Sequence, residues 1–381
     1  MNIAFLGTGF VADYYMTTLA NHPELRLAGV YDRSAERLRQ FSSFHGVRAY
    51  DSAEALIGDP EVGIVVNLTT PESHFALSKA ALEAGKHVYC EKPLAMDAAD
   101  AARLIALADE RKLTVTTAPA NALSDAHALV ASLLAADRIG TPRLIYAEME
   151  DGPVFRDKWA TWRSRSGAPW PGLHEFEIGC TLEHAGYALS WLVSLFGAVE
   201  SLTAFSALTF PDKGPGTEGL HLAPDFSVGC LKFRSGPVAR LTSGLAAPKN
   251  RALTILGDRG SIVVADLWDN RSAVHLEEAS APRRLETRIG NRLEAKLGTF
   301  LPGKPQAGRK IRYPAAAKPA ALPGYPSQID FCRGVAEQAR AIAAGRAPFF
   351  SGQRALHITE LALALNNAGT AAAPFVPSSS F

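Results

Sequence analysis

The first 120 residues alternate short apolar runs with longer amphipathic ones. Five short runs rich in Ile, Val, Leu and Tyr predict β-strands: Asn2–Gly7, Leu25–Asp32, Gly63–Thr69, Lys86–Glu91 and Leu113–Ala118. Four runs with helical periodicity separate them: Phe10–Asn21, Ser34–His45, Glu72–Ala84 and Asp97–Arg111. Strands that alternate with helices indicate βαβ units. We therefore expect a doubly wound parallel sheet with helices on both faces.

After Asn121 the pattern changes to successive strands. The helix Ala126–Ala136 leads into a strand at Arg143–Glu150, a Gly/Pro/Trp-rich loop and a helix near Thr181–Phe196. Six strand-like runs joined by short turns follow: Glu200–Phe210, Asp225–Phe233, Val238–Leu245, Arg251–Leu256, Ser261–Leu267 and Ser272–Leu276. The last two predicted helices are Gln328–Ala344 and Gly352–Ala368. This pattern predicts an α/β domain over residues 1–122 and an α+β domain with a large open antiparallel sheet over 123–381.

The charge of the chain is nearly balanced, with 39 Lys and Arg against 38 Asp and Glu among 381 residues. Nucleic-acid and anionic-membrane binders need clustered positive charge, so neither class of partner is expected. The N-terminus lacks a basic signal-peptide region, and no apolar run approaches the roughly 18 residues of a membrane span. The four cysteines form no C-x-x-C pair, which disfavours a zinc site. We expect a cytoplasmic protein without a metal.

A basic segment interrupts this balance at about residues 281–323. Ten Lys and Arg but two Glu lie between Arg283 and Lys318. One interpretation is a solvated insertion. The other is a basic arm near the substrate that receives a phosphate or nucleotide group.

The turn after the first strand carries a dinucleotide-binding pattern. Gly7-Thr8-Gly9-Phe10-Val11-Ala12 fits G-x-G-x-x-G/A, in which the glycines allow a tight turn and a close approach of the backbone to a pyrophosphate. Asp32 ends the second strand 20 residues after Ala12. An acidic residue there binds the adenosine ribose and favours NAD, while the neighbouring Arg33 keeps NADP open. The context predicts a Rossmann domain.

Two further strand ends carry candidate site residues. Thr69, Thr70 and His74 follow the third strand, where doubly wound sheets hold ligands, so we expect them to face the cofactor. His74 is equally consistent with an ordinary residue at a helix N-terminus. Cys90-Glu91-Lys92-Pro93 follows the fourth strand. Lys92 can donate a hydrogen bond to a substrate hydroxyl, and we expect burial to lower its pKa.

The glycine turn, Thr70-Pro71 with His74, and Glu91-Lys92-Pro93 together resemble the glucose–fructose oxidoreductase/inositol dehydrogenase (Gfo/Idh/MocA) family. The resemblance covers nearly the whole chain, since that family follows its nucleotide domain with an open antiparallel sheet. It implies that Glu91 and Lys92 lie at the cofactor. It also implies that Trp162-Arg163 border the cofactor and that Asn121 contacts cofactor or substrate.

The family's second signature, D-x-G-x-H-x-x-D, aligns with residues 183–190. Glu183 takes the first Asp position, Tyr187 takes the position of the catalytic His, and Ser190 takes the last Asp position. We expect Tyr187 and Lys92 to take the substrate proton, with Glu183 orienting one of them and the ammonium lowering the pKa of the phenol. Helical spacing puts Glu183 and Tyr187 on one face, while His184 is the competitor and Tyr187 as a packed core aromatic is the alternative.

The loop between Trp162 and Glu183 is longer than the family leads us to expect. It contains Trp170, His174, Glu175 and Glu177 without the spacing of a preformed metal site. We interpret it as a substrate lid with Trp170 stacking on a sugar, and we include His174 and His184 among the candidate substrate residues.

These observations predict an NAD(P)-dependent oxidoreductase. Hydride would pass between nicotinamide and a hydroxyl or carbonyl carbon of a sugar, glycoside, inositol or nucleotide sugar. One alternative is an epimerase, lyase or glycosidase that recycles its NAD, and another is a ligand-sensing regulator without catalysis. An open sheet face needs a cover, so we expect a homodimer or homotetramer.

Overall fold

The computed structural model describes residues 1–279, 308–314, 320–324, 327–371 and 374–380. The basic segment predicted at 281–323 lies for the most part outside the described residues. Within the part of the chain that the structure describes, no helix combines the length and the apolar character needed to cross a bilayer.

Five parallel strands form the first sheet: β1 Asn2–Leu6, β2 Arg26–Tyr31, β3 Ile64–Asn67, β4 His87–Cys90 and β5 Val115–Thr117. Their order is β2-β1-β3-β4-β5, which confirms the doubly wound prediction. The helices between them are α1 Ala12–Leu19, α2 Ala35–His45, α3 Ala53–Gly58, α4 Pro71–Glu83 and α5 Ala98–Glu110. The short α3 was not predicted from the sequence.

The strands of this sheet are mostly apolar because helices cover both faces. All residues of β3 are buried, and so are four of the five in β1. β1 is followed in the chain by β2 on one side, whereas its other neighbour, β3, is followed by β4 on the opposite side. The loops after β1 and β3 therefore diverge and leave a crevice at the carboxyl ends of these parallel strands. The glycine turn and Thr69 lie at this crevice.

The second part of the chain forms a nine-stranded sheet. Its elements, in chain order, are α6 Asp125–Ala135, β6 Pro142–Glu150, α7 Gly172–Ile178, a π-helical turn Thr181–Ala185, α8 Gly186–Phe196, β7 Val199–Ala207, β8 Phe226–Phe233, β9 Val238–Gly244, β10 Leu253–Gly257, β11 Gly260–Val264, β12 Val274–Glu278, β13 Arg309–Lys310, α9 Cys332–Ala343, α10 Gly352–Asn366 and β14 Pro374–Phe375. The strand order is β13-β12-β11-β10-β6-β9-β8-β7-β14. The antiparallel prediction holds for every neighbouring pair except β6 and β9, which are parallel.

One face of this sheet is buried and the other is open. In β8, Leu231 and Phe233 are buried while the alternate residues Cys230 and Lys232 are exposed. The buried face packs against α8, whose Trp191 is completely buried. A strand with one buried face alternates in this way because successive side chains point to opposite sides.

The last two helices connect the two sheets. In α9, Gln338 Nε2 donates a hydrogen bond to the Val88 carbonyl of β4 at 2.9 Å. Helix α10 packs against both α5 and α8. The C-terminal helices therefore belong to the packing of both sheets, which fixes the two walls of the crevice relative to each other.

Glu150, at the end of β6, gives the fold a pH dependence. It is 6% exposed, and its Oε2 has no hydrogen-bond partner among the described residues. Burial, together with the charge of Glu148, raises its pKa to about 7 from the ordinary 4.5. The unfolded chain releases this proton at lower pH than the folded chain, so the free energy of unfolding decreases as pH rises between these values.

We expect Glu150→Gln to remove most of this decrease. The pKa difference corresponds to roughly 3 kcal/mol, at about 1.4 kcal/mol per unit. Urea unfolding of both proteins at about pH 5 and about pH 8 measures the effect. The wild-type chain should lose stability between the two conditions and the variant should lose less. An equal loss in both proteins would contradict this assignment.

Candidate active site

A deep cleft opens at the carboxyl ends of β1 to β4. Its opposite wall comes from residues 151–187 and 249–268, and it encloses about 1360 Å³. Small-molecule sites usually measure about 300–1000 Å³. The cleft therefore has room for a dinucleotide together with a second ligand.

The glycine turn fits a pyrophosphate. Gly7 has φ +98°, and a Cβ on it would lie 2.6 Å from the Leu68 carbonyl oxygen. A Cβ on Gly9 would meet nothing within 4 Å. No side chain caps the N-terminus of α1, and a helix N-terminus attracts an anion. Gly7, Gly9, Phe10 and Val11 all line the cleft, as the sequence predicts.

Asp32 lines the cleft next to this turn, and its carboxylate accepts hydrogen bonds from neighbouring loop residues. Its Oδ2 accepts hydrogen bonds from the backbone N and the hydroxyl of Thr8, at 2.8 and 3.1 Å. Its Oδ1 accepts from the Ser34 amide at 2.8 Å and lies 3.6 Å from the guanidinium of Arg37. Thr8 is buried and orients Asp32, which corrects the expectation that Thr8 contacts the cofactor. Arg33 and Arg37 line the cleft beside Asp32.

Thr69 and Thr70 line the cleft, but His74 does not. The His74 ring is completely buried, with Nδ1 2.7 Å from the Pro93 carbonyl oxygen and Nε2 3.0 Å from that of Thr69. This corrects the expectation that His74 faces the cofactor. The ring instead connects the loops after β3 and β4, and so positions both for a ligand.

Asn121 also lies behind the cleft wall. Its Nδ2 donates to the carbonyls of Tyr187 and Leu267 at 3.0 and 3.1 Å, and its Oδ1 accepts from the Ser190 hydroxyl at 3.1 Å. Both Asn121 and Ser190 are buried. The structure therefore corrects the assignment of Asn121 as a ligand contact, because its polar atoms are used in holding α8 in place.

The loop after β4 presents Lys92 to the cleft. The Lys92–Pro93 peptide is cis. The Glu91 carboxylate accepts from the Tyr15 hydroxyl at 2.7 Å and from the Lys92 amide at 3.1 Å, which fixes the start of the loop. The Lys92 ammonium forms an ion pair with Glu183, and the two side chains are 14% and 17% exposed. Lys92 and Glu183 are therefore brought together as the sequence predicts.

The charges around Lys92 reverse the expected direction of its pKa shift. Burial, the largest single effect, lowers the pKa, but Glu183, Tyr187 and Glu91 together raise the Lys92 pKa above its ordinary value. Burial likewise favours a raised pKa at Glu183, yet Lys92 holds it below the ordinary value. The pair consists of an ammonium and a carboxylate near neutral pH, which corrects the expectation of a lowered Lys92 pKa.

Tyr187 lies in the same wall. Its ring centroid is 5.9 Å from Lys92 Nζ and 4.8 Å from the Trp268 ring. Its hydroxyl makes no hydrogen bond to a described residue. Burial raises the pKa of the phenol more than Lys92 lowers it, so the phenol keeps its proton. This corrects the expectation that the ammonium makes Tyr187 more acidic.

A π-helical turn places three side chains of one segment in the cleft. Thr181–Ala185 forms this turn directly before α8, and such turns often occur at functional sites. Glu183, His184 and Tyr187 all line the cleft. The α-helical spacing used for the sequence separates His184 from the other two, so the π turn explains why all three are available to one ligand.

His184 belongs to a buried polar group. Its Nε2 lies 3.2 Å from Asp151 Oδ2 and 3.2 Å from Glu175 Oε1. Asp151 also lies 3.4 Å from Arg251, whose guanidinium stacks 3.9 Å over the Trp268 ring. Sequence reasoning missed Asp151, Arg251 and Trp268, since they lie in separate loops beside β6, β10 and β11 and share no motif.

The segment from Trp162 to His174, which we call the strap, covers one side of the cleft. Trp162, Arg163, Trp170 and His174 line the cleft. The rings of Trp162 and Trp170 are 5.0 Å apart, and Trp170 packs further against Phe176. The strap thus presents aromatic surface to the cleft.

Two contacts tie the strap to the first domain. The Ser166 amide and hydroxyl donate to Asp13 Oδ2 at 3.1 and 2.7 Å, and His45 lies 2.6 Å from Asp13 Oδ1. At the other end, His174 Nε2 lies 2.8 Å from Glu72 Oε1. Asp13 is on α1 and Glu72 on α4, so the strap bridges both sides of the crevice.

We expect release of a bound dinucleotide to become about tenfold faster when Ser166 and His174 are both replaced by alanine. The two changes remove hydrogen bonds to the carboxylates of Asp13 and Glu72. A loss of about 1.4 kcal/mol in the stability of the closed cleft corresponds to a tenfold faster dissociation of the dinucleotide. Stopped-flow fluorescence of NADH or NADPH measures the dissociation rate. Ser132→Ala, on the exposed side of α6, is the matched control. Equal rates in all three proteins would argue against a closing role.

Among the described residues, no group of three or more His, Cys, Asp or Glu side chains is arranged to hold a metal ion. The polar groups of the cleft include an ammonium, a phenol, an imidazole, guanidinium groups and carboxyls. They can bind, orient and exchange protons with a hydroxyl or carbonyl compound.

Comparison with known proteins agrees with this architecture. Residues 1–118 match the Gfo/Idh/MocA oxidoreductase family model with its NAD-binding Rossmann fold, and residues 127–263 match the family's C-terminal domain. The 1,5-anhydro-D-fructose reductase of Ensifer adhaerens is 28% identical over 277 residues, covering 70% of this chain and 77% of the reductase. Two solved structures share the fold over 97% of both chains: UDP-N-acetylglucosamine 3-dehydrogenase from Acidithiobacillus ferrooxidans (TM-score 0.69, 21% identity) and aldose-aldose oxidoreductase from Caulobacter crescentus (TM-score 0.72, 19% identity). The chain therefore belongs to the Gfo/Idh/MocA family of oxidoreductases.

Proposed function

We propose that this oxidoreductase uses NAD or NADP to interconvert a hydroxyl and a carbonyl group on a carbohydrate-like substrate. The substrate class comprises free sugars, glycosides, inositols and nucleotide sugars. The observation that carries the proposal is the position of Lys92, paired with Glu183 and near Tyr187, in a cleft that also contains the glycine turn. Relatives named for reactions of sugars and nucleotide sugars support the substrate class.

In the proposed reaction some residues of the cleft bind the ligands, and others stabilise the negative charge that develops on the substrate oxygen. A bound nicotinamide supplies or accepts the hydride. Lys92 and Tyr187 donate hydrogen bonds to the reacting oxygen of the substrate, where negative charge develops. Glu183 keeps Lys92 charged and in place. Fixed donors in a site that excludes water stabilise such a charge without reorganisation.

The strap supplies the surface for the sugar ring. Trp170 and Trp162 present aromatic faces next to the catalytic groups, and sugar C–H groups pack well on such faces. Its contacts with Asp13 and Glu72 close the cleft around both ligands. Exclusion of water favours transfer of the hydride to its intended carbon.

The proposal is tested by nicotinamide absorbance with NAD⁺ and NADP⁺ over a panel of sugars, glycosides, inositols and nucleotide sugars. We expect turnover on one substrate class, lost in Lys92→Ala and lowered in Tyr187→Phe. Native mass spectrometry of the purified protein establishes whether a dinucleotide is retained. The proposal would be contradicted if the protein bound neither dinucleotide, or if it bound one and converted no substrate.

A second candidate is favoured by the strap contacts. Because the strap contacts Asp13 and Glu72 and closes the cleft, release of the dinucleotide is slowed. A dinucleotide that stays bound can be reoxidised within each turnover. Such an enzyme acts as an epimerase, lyase or glycosidase, or exchanges hydride between two sugars. It is distinguished by conversion of substrate without net formation of reduced nicotinamide. A regulator without catalysis is instead indicated if Lys92→Ala keeps full biological activity.

We also propose that the open sheet face joins copies of the chain. Phe205 pairs with Val228 across β7 and β8, and Cys230 pairs with Arg240 across β8 and β9, so these side chains share one partly exposed face. We expect light scattering to give a mass of two or four times 40.6 kDa. Cys230 is exposed in the single chain, so a bulky maleimide should label it slowly in the oligomer. A mass of one chain would contradict the proposal.

A further inference from the structure

The part of the cleft beside Lys92 is lined by carboxyl groups. Asp151 follows β6, Glu175 lies on α7 and Glu183 belongs to the π-helical turn, so three separate segments contribute them. Asp151 Oδ2 and Glu175 Oε1 each lie 3.2 Å from His184 Nε2. Glu183 forms the ion pair with Lys92. The carboxyl groups of Asp151 and Glu175 are therefore close to this pair without being part of it.

These two carboxyl groups remain open to a ligand. The side chains of Asp151 and Glu175 are 14% and 9% exposed, and both line the cleft. Apart from its contact with His184, Glu175 has no polar partner among the described residues. Tyr187 lines the same cleft and is nine-tenths buried, and its hydroxyl also makes no hydrogen bond to a described residue. Largely buried polar groups are costly without partners, so a ligand with hydrogen-bond donors fits this part of the cleft.

The cations close to these carboxyl groups are already paired. Lys92 is paired with Glu183. The guanidinium of Arg251, whose side chain is 1% exposed, lies 2.8 Å from Asp266 Oδ2 and 3.4 Å from Asp151 Oδ1. A substrate carboxylate here would meet carboxyl groups, and the cations that could hold it already have carboxylate partners. Like charges brought together in this way weaken binding.

The other cations of the described cleft cannot compensate at this point. They are exposed or lie beside Asp32 at the dinucleotide end: Arg33, Arg37, Arg163, Arg165 and Lys249. Glu175 shows how the inner cleft treats a negative charge, since burial and then the charge of Glu183 raise its pKa, against the charge of Lys92. A substrate carboxylate beside Glu175 meets the same conditions.

We propose that Asp151 and Glu175 hold hydroxyl groups of the substrate ring and select a ring without a carboxylate or phosphate substituent. Carboxyl oxygens accept several hydrogen bonds, which suits the neighbouring hydroxyls of a sugar or inositol ring. An acidic ring loses its hydration on entry and meets like charge, so it is rejected. The selection concerns the ring, and a nucleotide outside it is compatible with the exposed cations. This inference rests on the proposed function, since it states which of its substrates the cleft accepts.

Binding to the dinucleotide-loaded protein tests this selection. Reduced dinucleotide prevents oxidation of the ligand, and calorimetry gives the Kd. The neutral ring that supports turnover is compared with analogues in which one ring substituent is a carboxylate (for a sugar, the uronic acid), a phosphate or an amine. We expect the carboxylate and phosphate analogues to bind at least about tenfold more weakly. Equal or tighter binding of either, or tighter binding of the amine, would overturn the inference.

Asp151→Asn tests the contribution of charge. It removes one negative charge and leaves Arg251 paired with Asp266, so the carboxylate analogue should gain affinity. We expect the ratio of its Kd to that of the neutral ring to fall by about fivefold or more. Asp157→Asn, at an exposed position of the same loop, is the matched control and should leave the ratio unchanged. A folded Asp151→Asn protein with the wild-type ratio would contradict the inference.

Glu175→Ala tests the hydrogen bond to a ring hydroxyl independently. We expect the neutral ring to bind about tenfold more weakly, and one deoxy analogue to show the same loss in the wild-type protein. In Glu175→Ala this deoxy analogue and the neutral ring should bind equally, because the partner of the hydroxyl is gone. Glu175→Gln should retain most of the affinity, since an amide oxygen still accepts. Glu177→Ala, exposed on the same helix, is the matched control. Losses that add for every deoxy analogue would show that Glu175 has a structural role only.

Failure of the inference differs from failure of the proposed function. If the protein binds no dinucleotide or converts no substrate, the proposed function fails, and this inference with it. If the protein is an active oxidoreductase that prefers a ring carboxylate or phosphate, the proposed function stands and the inference alone fails.

Discussion

Lys92→Met is expected to lower kcat by about a thousandfold while leaving the Kd for the dinucleotide nearly unchanged. Methionine keeps the apolar stem of the side chain but removes the ammonium. The reacting oxygen then loses a charged donor, and loss of such a donor costs about a hundred- to a thousandfold. Glu183 also loses its counter-charge while remaining largely buried, which places an unpaired negative charge where negative charge must develop.

Single-turnover nicotinamide absorbance and fluorescence titration of the dinucleotide measure the two quantities separately. Lys79→Met is the matched control, since Lys79 is an exposed lysine on α4 that pairs with Glu83. Glu183→Gln should reduce kcat by a smaller factor, because the ammonium stays. A Lys92→Met protein with more than about a tenth of the wild-type kcat would show that the ammonium contributes little to the barrier.

The parallel domain was predictable because its signals are local. Continuous apolar runs between turn residues mark β1 to β5, and each observed strand lies within its predicted run. The parallel pairing of β6 with β9 was not predictable, since it joins strands far apart in the chain and no turn specifies it. Helix α7 was missed as well, because the Gly, Pro and Trp residues around it indicate a loop.

The candidate site likewise contains residues whose position was predictable from local motifs and residues whose position was not. Gly7, Gly9, Asp32 and Lys92 stand in linear motifs at strand ends, so the fold alone brings them to the cleft. His74 was misplaced because a position at a strand end fixes the backbone and leaves the direction of the side chain open. The family resemblance misplaced Asn121, whose amide donates to the Tyr187 carbonyl of α8.

The protonation states of Lys92 and Tyr187 could not be predicted without knowing all the groups that surround each side chain. From the sequence, burial was expected to lower the Lys92 pKa and Lys92 to lower that of Tyr187. In the structure the neighbouring groups Glu183, Tyr187 and Glu91 together outweigh burial and raise the Lys92 pKa, whereas burial outweighs Lys92 and raises the Tyr187 pKa. A pKa direction depends on the sum of desolvation and all nearby charges, and one partner identified from a motif does not determine that sum.

Asp32→Ser is expected to shift the ratio of the NADPH and NADH affinities towards NADPH by about a hundredfold relative to the wild-type chain. In a Rossmann domain an acidic residue at the end of the second strand binds the adenosine ribose and repels a 2′-phosphate, and we expect this role for Asp32. Arg33 and Arg37 already line the cleft beside it, and Arg37 lies 3.6 Å from Asp32 Oδ1. Removal of one negative charge therefore leaves two guanidinium groups for the phosphate, and guanidinium binds phosphate in a bidentate manner.

Fluorescence titrations with NADH and NADPH measure both affinities in each variant. Serine keeps a hydroxyl that can accept from Thr8, so the turn retains one of its contacts. Adding Arg33→Ala and Arg37→Ala to Asp32→Ser should abolish the gain in NADPH affinity without restoring NADH affinity. If Asp32→Ser weakens both dinucleotides equally, Asp32 acts by holding Thr8 and Ser34 in place and not by charge. Cofactor choice would then depend on the shape of the turn, and the two arginines would have no part in it.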